Sequence, residues 1–305
     1  MDGFIVLDKP VGITSHDVVS VVRRTLRQKK VGHTGTLDPF ATGVLPVALG
    51  EGTKAIPFLD EGMKEYRATM VLGAATDTQD CTGTVIRRGT WEDLVPDRIV
   101  AIMKSFVGRQ SQLPPMFSAV KQNGVPLYRL ARKGEEVKRS PREIEIYSIA
   151  VDVVDLPHVT FTVSCSRGTY VRTLANDIGE ALGCDAHLTA LRRTRSGPFA
   201  IDRALSLDEF SRISEMGEVG NHITPLGEAL GHLRTLLLGD EGSVRIRHGQ
   251  VPRPTDFVSV VGEVGAGERF RLMHGDRLLA VAESLSSTWS EDSKNLRLIR
   301  VFNEV

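Results

Sequence analysis

The chain has 305 residues, 41% of them hydrophobic and 25% charged, a balance that excludes a disordered or collagen-like chain. Lysine plus arginine equals aspartate plus glutamate at 38 each, so net charge alone points to no polyanionic partner. Three cysteines without a CxxC pair suggest neither a disulfide framework nor a zinc knuckle, and the acidic N-terminus and short apolar runs exclude a signal peptide and a membrane span. A reduced, cytoplasmic protein is expected.

Phe4 to Leu7 reads as a short strand closed by Lys9-Pro10. Thr14 and Ser15 are placed to cap a helix through about Leu26 that turns Val18, Val19 and Val22 inward. Residues 31–46, rich in glycine and threonine, read as a loop. Tyr66 to Leu72 and Thr84 to Arg87 read as strands, and Asp97 opens an amphipathic helix through Phe106 that Gly108 stops. Residues 112–143 then change character, with Pro114-Pro115, Gly124, Pro126, Gly134 and Pro141 among many basic residues. They read as a surface insertion with a short helix near 127–133. Ile144 to Val154 and Val159 to Ser164 alternate as antiparallel strands do. Tyr170 to Leu182 reads as a helix ended by Gly183. After Leu230 comes a charged linker, and residues 243–303 carry short β-like runs such as Phe270–Met273 and Leu296–Phe302. Length alone favours one large domain and a small one.

Positive charge is gathered in runs: Arg23, Arg24, Arg27, Lys29 and Lys30; Arg129, Arg132, Lys133, Lys138, Arg139 and Arg142; and Arg192, Arg193 and Arg195. Each is either solvated surface or part of a phosphate-binding face. Cys184 and His187 have a ligand-like gap but no second pair, so no metal site is expected.

Residues 32–46 read GHTGTLDPFATGVLP. Three glycines and two prolines fix an irregular backbone around one carboxylate, Asp38, which Pro39 biases toward an extended conformation. A carboxylate on a rigid loop suits a nucleophile, and Asp before Pro equally suits a plain turn. No Gly-Lys-Ser/Thr ends the loop, so it is no P-loop.

This segment closely resembles the catalytic motif of the tRNA pseudouridine-55 synthases of the TruB type. The motifs around it agree in order: Leu7-Asp8-Lys9-Pro10; Lys64-Glu65-Tyr66 with Gly73 and Thr76-Asp77-Thr78-Gln79-Asp80; Ser166 to Leu174; and Leu191 to Phe199. The resemblance is strong up to Phe199 and weak beyond. It implies an α+β pseudouridine synthase fold with a mixed, mainly antiparallel sheet carrying a catalytic cleft, followed by a small C-terminal PUA-like β domain. The implied division is 1–236, with an RNA-clasping thumb at about 112–143, and 237–305.

The resemblance also implies roles. Asp38 is the nucleophile, Arg172 pairs with it, and Tyr66 stacks on the target base and accepts a proton late in the reaction. Tyr170 and Leu191 line the pocket, Lys9 and Pro10 support it, and Asp80 contributes to binding or base flipping. His33 enters the RNA stack where the base was. Lys121 and Arg129 belong to the thumb and would meet phosphates. Where this chain has Phe117 the family often has tyrosine, so the ring is retained and a hydroxyl is missing. The implied substrate is uridine 55 in the T-arm stem-loop of tRNA, isomerised without metal or organic cofactor by a monomer that needs no protein partner. Whether the carboxylate adds to the uracil ring or captures the sugar stays open.

Three rival readings remain in view. A guide-RNA-dependent synthase of a ribonucleoprotein would not need the basic insertion. A non-catalytic tRNA-binding or tRNA-folding protein would not need Asp38, Tyr66 and Arg172 together. A carboxylate-pair glycosidase, with Asp38 and Asp77 or Asp80, would want an aromatic-rich cleft, against an aromatic content of 6%.

Overall fold

The computed structural model describes residues 1–60, 62–118, 120–122, 124–135, 137–258, 265–286 and 296–303. Strand β1 (Gly3–Lys9) leads into helix α1 (Ser15–Thr25). Thr14 caps α1 in a reciprocal capping box: its hydroxyl accepts from Asp17 N at 3.1 Å, and the Asp17 carboxylate accepts from Thr14 N at 2.8 Å. The buried face of α1, Val18, Val19 and Val22, packs with Ile5, Leu7, Leu45 and Val47 of the sheet.

Strands β2 (Val31–His33) and β3 (Thr42–Leu49) follow, with β3 antiparallel to both β1 and β2. The expected loop over 31–46 is therefore confined to 34–41. Local composition misleads here because Val44, Leu45, Val47, Ala48 and Leu49 are all buried, and their burial outweighs the glycine and proline around them. Pro46 has no N–H to donate, but its carbonyl accepts from Thr34 N at 3.2 Å.

A short helix α2 (Gly52–Ala55) leads to β4 (Met63–Leu72), the hairpin β5 (Ala74–Thr76) and β6 (Val85–Arg88), helix α3 (Pro96–Ser105) and β7 (Gly108–Gln112). The insertion then runs from residue 113 to 141. It contains a two-stranded ribbon, β8 (Lys121–Gln122) with β9 (Val125–Pro126), and the short helix α4 (Leu127–Ala131). Strands β10 (Arg142–Asp155) and β11 (His158–Ser166) form the expected antiparallel pair. Helix α5 (Val171–Leu182) ends at Gly183, whose φ of +80° is the left-handed conformation that glycine adopts without strain.

Strand β12 (Ala186–Ser196) was not legible in the sequence. It lies at the centre of the sheet, between β3 and β4. Register shifts between Leu188 and Ala190 and between Arg193 and Arg195 break its alternation, so no period of two survives in the residue string. Among the described residues the main sheet has the order β1-β3-β12-β4-β11-β10-β7, with β2 on β3 and a short β13 (Phe199–Ala200) on β12. Every pairing is antiparallel except that of β3 with β12, where Thr42 and Gly43 face Arg192 and Arg193. The mixed, mainly antiparallel sheet is thus as expected.

Helices α6 (Leu207–Glu215) and α7 (Leu226–Ala229) follow. The expected linker after Leu230 is instead strand β14 (Arg234–Leu237) and helix α8 (Asp240–Arg247). Strand β14 runs parallel to β15 (Arg269–His274), which continues through β16 (Arg277–Ser284) to β17 (Leu296–Val301). Its exposure hid it, because only Leu236 of the strand is buried. Met273, Leu278, Val281 and Phe302 share one buried cluster with Phe4, Val6, Val44 and Ala48 of the main sheet.

Candidate active site

The two halves of the main sheet meet at the short parallel pairing of β3 with β12, and the loop 34–41 sits over that seam. Leu37 and Phe40 are buried on either side of Asp38, and together with Ala41 they anchor the loop in the core. Ser15, the first residue of α1, takes the Leu37 N–H at 2.8 Å on its hydroxyl oxygen. Ala41 N donates to Asp38 O at 3.1 Å, closing a tight turn. Gly43 approaches β12 so closely that an added Cβ would lie 2.2 Å from Arg193 O, and its φ is +102°.

Lys9 is wholly buried at the end of β1. Its ammonium donates to the carbonyls of Pro10 at 2.8 Å, Ile13 at 2.7 Å and Pro39 at 3.3 Å, so it staples the Asp38 loop to the turn before α1. Burial lowers the Lys9 pKa to about 8, against the opposing pull of Asp38. Pro10 itself is exposed and contributes its carbonyl.

Arg172, in the first turn of α5, is 3% exposed. Its Nε lies 2.9 Å from Asp38 Oδ2, and its Nη2 donates to Asp38 Oδ1 at 3.3 Å. The same guanidinium donates to Thr78 O and Phe117 O, each at 2.7 Å, and its Nη1 is 3.6 Å from Asp80 Oδ2. Asp80, also buried, accepts from Thr78 Oγ1, Thr82 N and Thr82 Oγ1. One buried guanidinium therefore serves two carboxylates. Burial pushes the Asp38 carboxyl above its ordinary pKa, with Arg172 pulling it down and Asp80 adding to the rise. Desolvation is the larger of these effects.

Asp38 lies between two openings. A chamber of about 250 Å³ is lined by Tyr66, Tyr170, Leu191, Lys64, Arg167 and Arg193 together with the Asp38 loop. A wider groove of about 840 Å³ is lined by His33, His16, Tyr128, Arg129 and Arg132, with Asp80 and Arg172 at its base. The structure thus brings together Asp38, Tyr66, Arg172, Tyr170 and Leu191 around the chamber, and His33, Asp80 and Arg129 around the groove. Lys121 lies on the exposed β8–β9 ribbon and lines neither opening.

Tyr66 sits on the inward face of β4 with its hydroxyl bonded to the Arg193 side chain; burial raises its pKa and Arg193 opposes the rise. Arg193 is 1% exposed and donates to Val44 O at 2.7 Å and Gly35 O at 3.1 Å. It is a buried brace across the seam and not part of a surface basic run. Its neighbour Arg192 pairs with Asp8 at 2.5 Å. Tyr170 caps α5, and Gln112 holds its backbone from both sides at 2.8 and 3.1 Å.

Lys64 was missed although the signal was present. It stands two residues before Tyr66 on a strand that alternates, hence on the same inward face. For Arg193, Gln112 and Ser15 no local signal exists, because their partners are distant in sequence. The carboxylate pair that a glycosidase needs is absent among the described residues. Asp80 is locked to Arg172, Thr78 and Thr82, and Asp77 lines a separate cavity where its carboxylate accepts from Thr84 N.

Residues 23–171 match the family described as TruB family pseudouridylate synthase (N terminal domain), and residues 172–237 match the tRNA pseudouridylate synthase B C-terminal domain. A protein of Geobacter sulfurreducens named tRNA pseudouridine synthase B is 60% identical over 304 residues, covering 99% of this chain and 100% of that one. The protein of that name from Geotalea uraniireducens is 58% identical, covering 99% of this chain and 98% of that one. Among solved structures, a chain of a Cbf5-Nop10-Gar1 complex superposes with a TM-score of 0.76 at 31% identity, covering 98% of this chain and 84% of that one.

Proposed function

The chain belongs to the TruB family of pseudouridylate synthases, and from this premise we propose that it isomerises uridine 55 in the T-loop of tRNA to pseudouridine, with Asp38 as nucleophile. The observation that carries the assignment of Asp38 is its place at the junction of a small chamber and a wider groove, paired with a buried arginine. A target base that leaves its stack passes from the groove into the chamber, where Tyr66, Tyr170 and Leu191 give it apolar walls.

The reaction breaks the N1–C1′ bond, turns the uracil and joins C5 to C1′. The proton leaves C5 and N1 ends protonated, so the product is an isomer and no oxidant, reductant or group donor is consumed. Asp38 forms the transient bond, either to the uracil ring or to the sugar. Arg172 holds its carboxylate in one orientation and offsets the cost of burying its charge. Tyr66, a neutral phenol at rest, gives its proton to N1 and takes the C5 proton in return, so its phenolate is transient and the Arg193 guanidinium beside its oxygen stabilises the negative charge there.

In the same reading His33 fills the gap in the RNA stack and Asp80 fixes Arg172. Arg129 and Lys121 of the thumb meet phosphates on the outer RNA surface. Residues 237–305 form an RNA-contacting, PUA-like domain that shares a buried cluster with the main sheet, and the protein acts as a monomer in the cytoplasm. Among the described residues no helix is long and apolar enough to cross a membrane.

The test is Asp38→Asn assayed on an unmodified T-arm stem-loop. Turnover is expected to vanish while RNA affinity stays within severalfold of wild type. More than a trace of pseudouridine in single-turnover reactions would defeat the assignment.

A further inference from the structure

We propose that the outer face of α1, from His16 to Lys29, is a second phosphate-binding track that grips the stem of the RNA hairpin whose loop enters the catalytic groove. This inference rests on the reading of the chain as an enzyme acting on a folded RNA. The residues His16, Ser20, Arg23 and Arg24 recur at spacings of three and four along α1, so they share one face, and Arg27 and Lys29 follow just past its end. At 1.5 Å per residue the face from His16 to Arg24 is about 12 Å long. One end, His16, opens onto the 840 Å³ groove over Asp38. The other end forms a concavity of about 410 Å³ lined by Ser20, Arg23, Arg24, Arg27, Gln28 and Lys29, with no acid in its wall.

Several other surface arginines are neutralised in place: Arg87 by Glu180 and Asp185, Arg203 by Glu228, and Arg297 by Glu283. Among the described residues Arg23, Arg24, Arg27 and Lys29 have no carboxylate within ion-pair distance, and Lys30 has only Glu51 at 3.8 Å. Attraction to the carbonyl end of α1 accounts for Arg23 and Arg24 in its last turn, but not for Arg27 and Lys29 beyond it.

The face is also rigid. Val18, Val19 and Val22 anchor α1 in the core, and Arg23 is held by its bond to Val31 O at 2.7 Å. Ser15 of the same helix fixes the Asp38 loop, so RNA held on α1 is held in register with the nucleophile. Across the groove Tyr128, Arg129 and Arg132 supply the opposite wall. A cluster of unneutralised cations at the end of a rigid helix, on a face that runs past Ser20 and Asp17 to the catalytic groove, complements a duplex backbone and reads no sequence.

The experiment compares the triple variant Arg24→Gln/Arg27→Gln/Lys29→Gln with wild type on two RNAs, the loop on a minimal stem and the same loop on an extended stem, in salt titrations of binding. On the extended stem the variant should bind about tenfold more weakly or worse at about 0.1 M salt, and its log–log salt slope should fall by about 2–3 units, near 0.9 for each duplex phosphate that is no longer neutralised. On the minimal stem the two proteins should share one slope. The charge-retaining variant R24K/R27K should keep the wild-type slope on both RNAs. An unchanged slope on the extended stem would overturn the track, as would equal weakening on both RNAs, which would mean that α1 had merely been destabilised. If wild type binds both RNAs but isomerises neither, the functional reading fails while the slope comparison still decides this inference.

Discussion

Lys9→Met is the perturbation that best separates catalysis from folding at this site. The buried ammonium of Lys9 holds the carbonyls of Pro10, Ile13 and Pro39, and methionine keeps the volume while removing every donor. Three carbonyls without a donor cost about 1–2 kcal/mol each. Against this, the lowering of the Lys9 pKa from 10.5 to about 8 corresponds to roughly 3 kcal/mol that the charged form costs the folded state at neutral pH. The two effects largely cancel, so the variant should fold with a net loss of about 0–3 kcal/mol and a Tm lower by several degrees at most.

Catalysis has no such compensation, because the Pro39 carbonyl adjoins Asp38. A shift of about 1 Å in the nucleophile costs on the order of a hundredfold in rate. The pH profile gives a second readout. Unfolded Lys9 keeps its proton to about 10.5 and folded Lys9 loses it near 8, so between those values the unfolded chain binds more protons and this residue's contribution makes stability rise with pH. Activity should move the other way. The neutral amine has two N–H groups for three carbonyls, and the 3.3 Å bond to Pro39 is the weakest of the set. Wild-type kcat should therefore fall as pH rises through about 8, and Lys9→Met should lack that limb. Tritium release from RNA labelled at uracil C5 measures both, with circular dichroism melts as the folding control. A limb near 8 that persists in Lys9→Met, or a kcat within about threefold of wild type, would refute the stapling role.

On the acid side, burial holds the Asp38 carboxyl above its ordinary value of 3.8, so kcat/KM should fall at a pH above the usual carboxylate range; a single-turnover profile that stays flat down to about pH 4 would contradict an ionised nucleophile with a raised pKa. His33→Ala should slow a structured T-loop more than an unstructured strand, because base–aromatic stacking is worth about 1–3 kcal/mol and only the structured RNA has a stack to restore. Equal losses on the two RNAs would make His33 a brace of the β2–β3 turn instead.

Much of the fold was legible because local burial has a period. Val18, Val19 and Val22 on α1, the alternation of β4 from Tyr66 to Leu72, and the paired alternation of β10 and β11 each report one buried face of a regular element, and Gly183 marks the end of α5 by its backbone freedom. The order of the motifs around Asp38 likewise sufficed to indicate the family. Only the tertiary structure decided which faces meet. Strand β12 lost its period to two bulges, and its place beside β3 depends on a close approach that Gly43 alone permits. Arg193 reads as surface charge beside Arg192 and Arg195 in the sequence, yet its partners, Val44 O, Gly35 O and the Tyr66 hydroxyl, lie across the seam. Lys9 likewise gains its role from Ile13 and Pro39. Periodicity records how much of a side chain leaves water, which is a property of its own element. The partner that makes a buried charge tolerable sits in another element, many residues away, and only the folded chain brings it there.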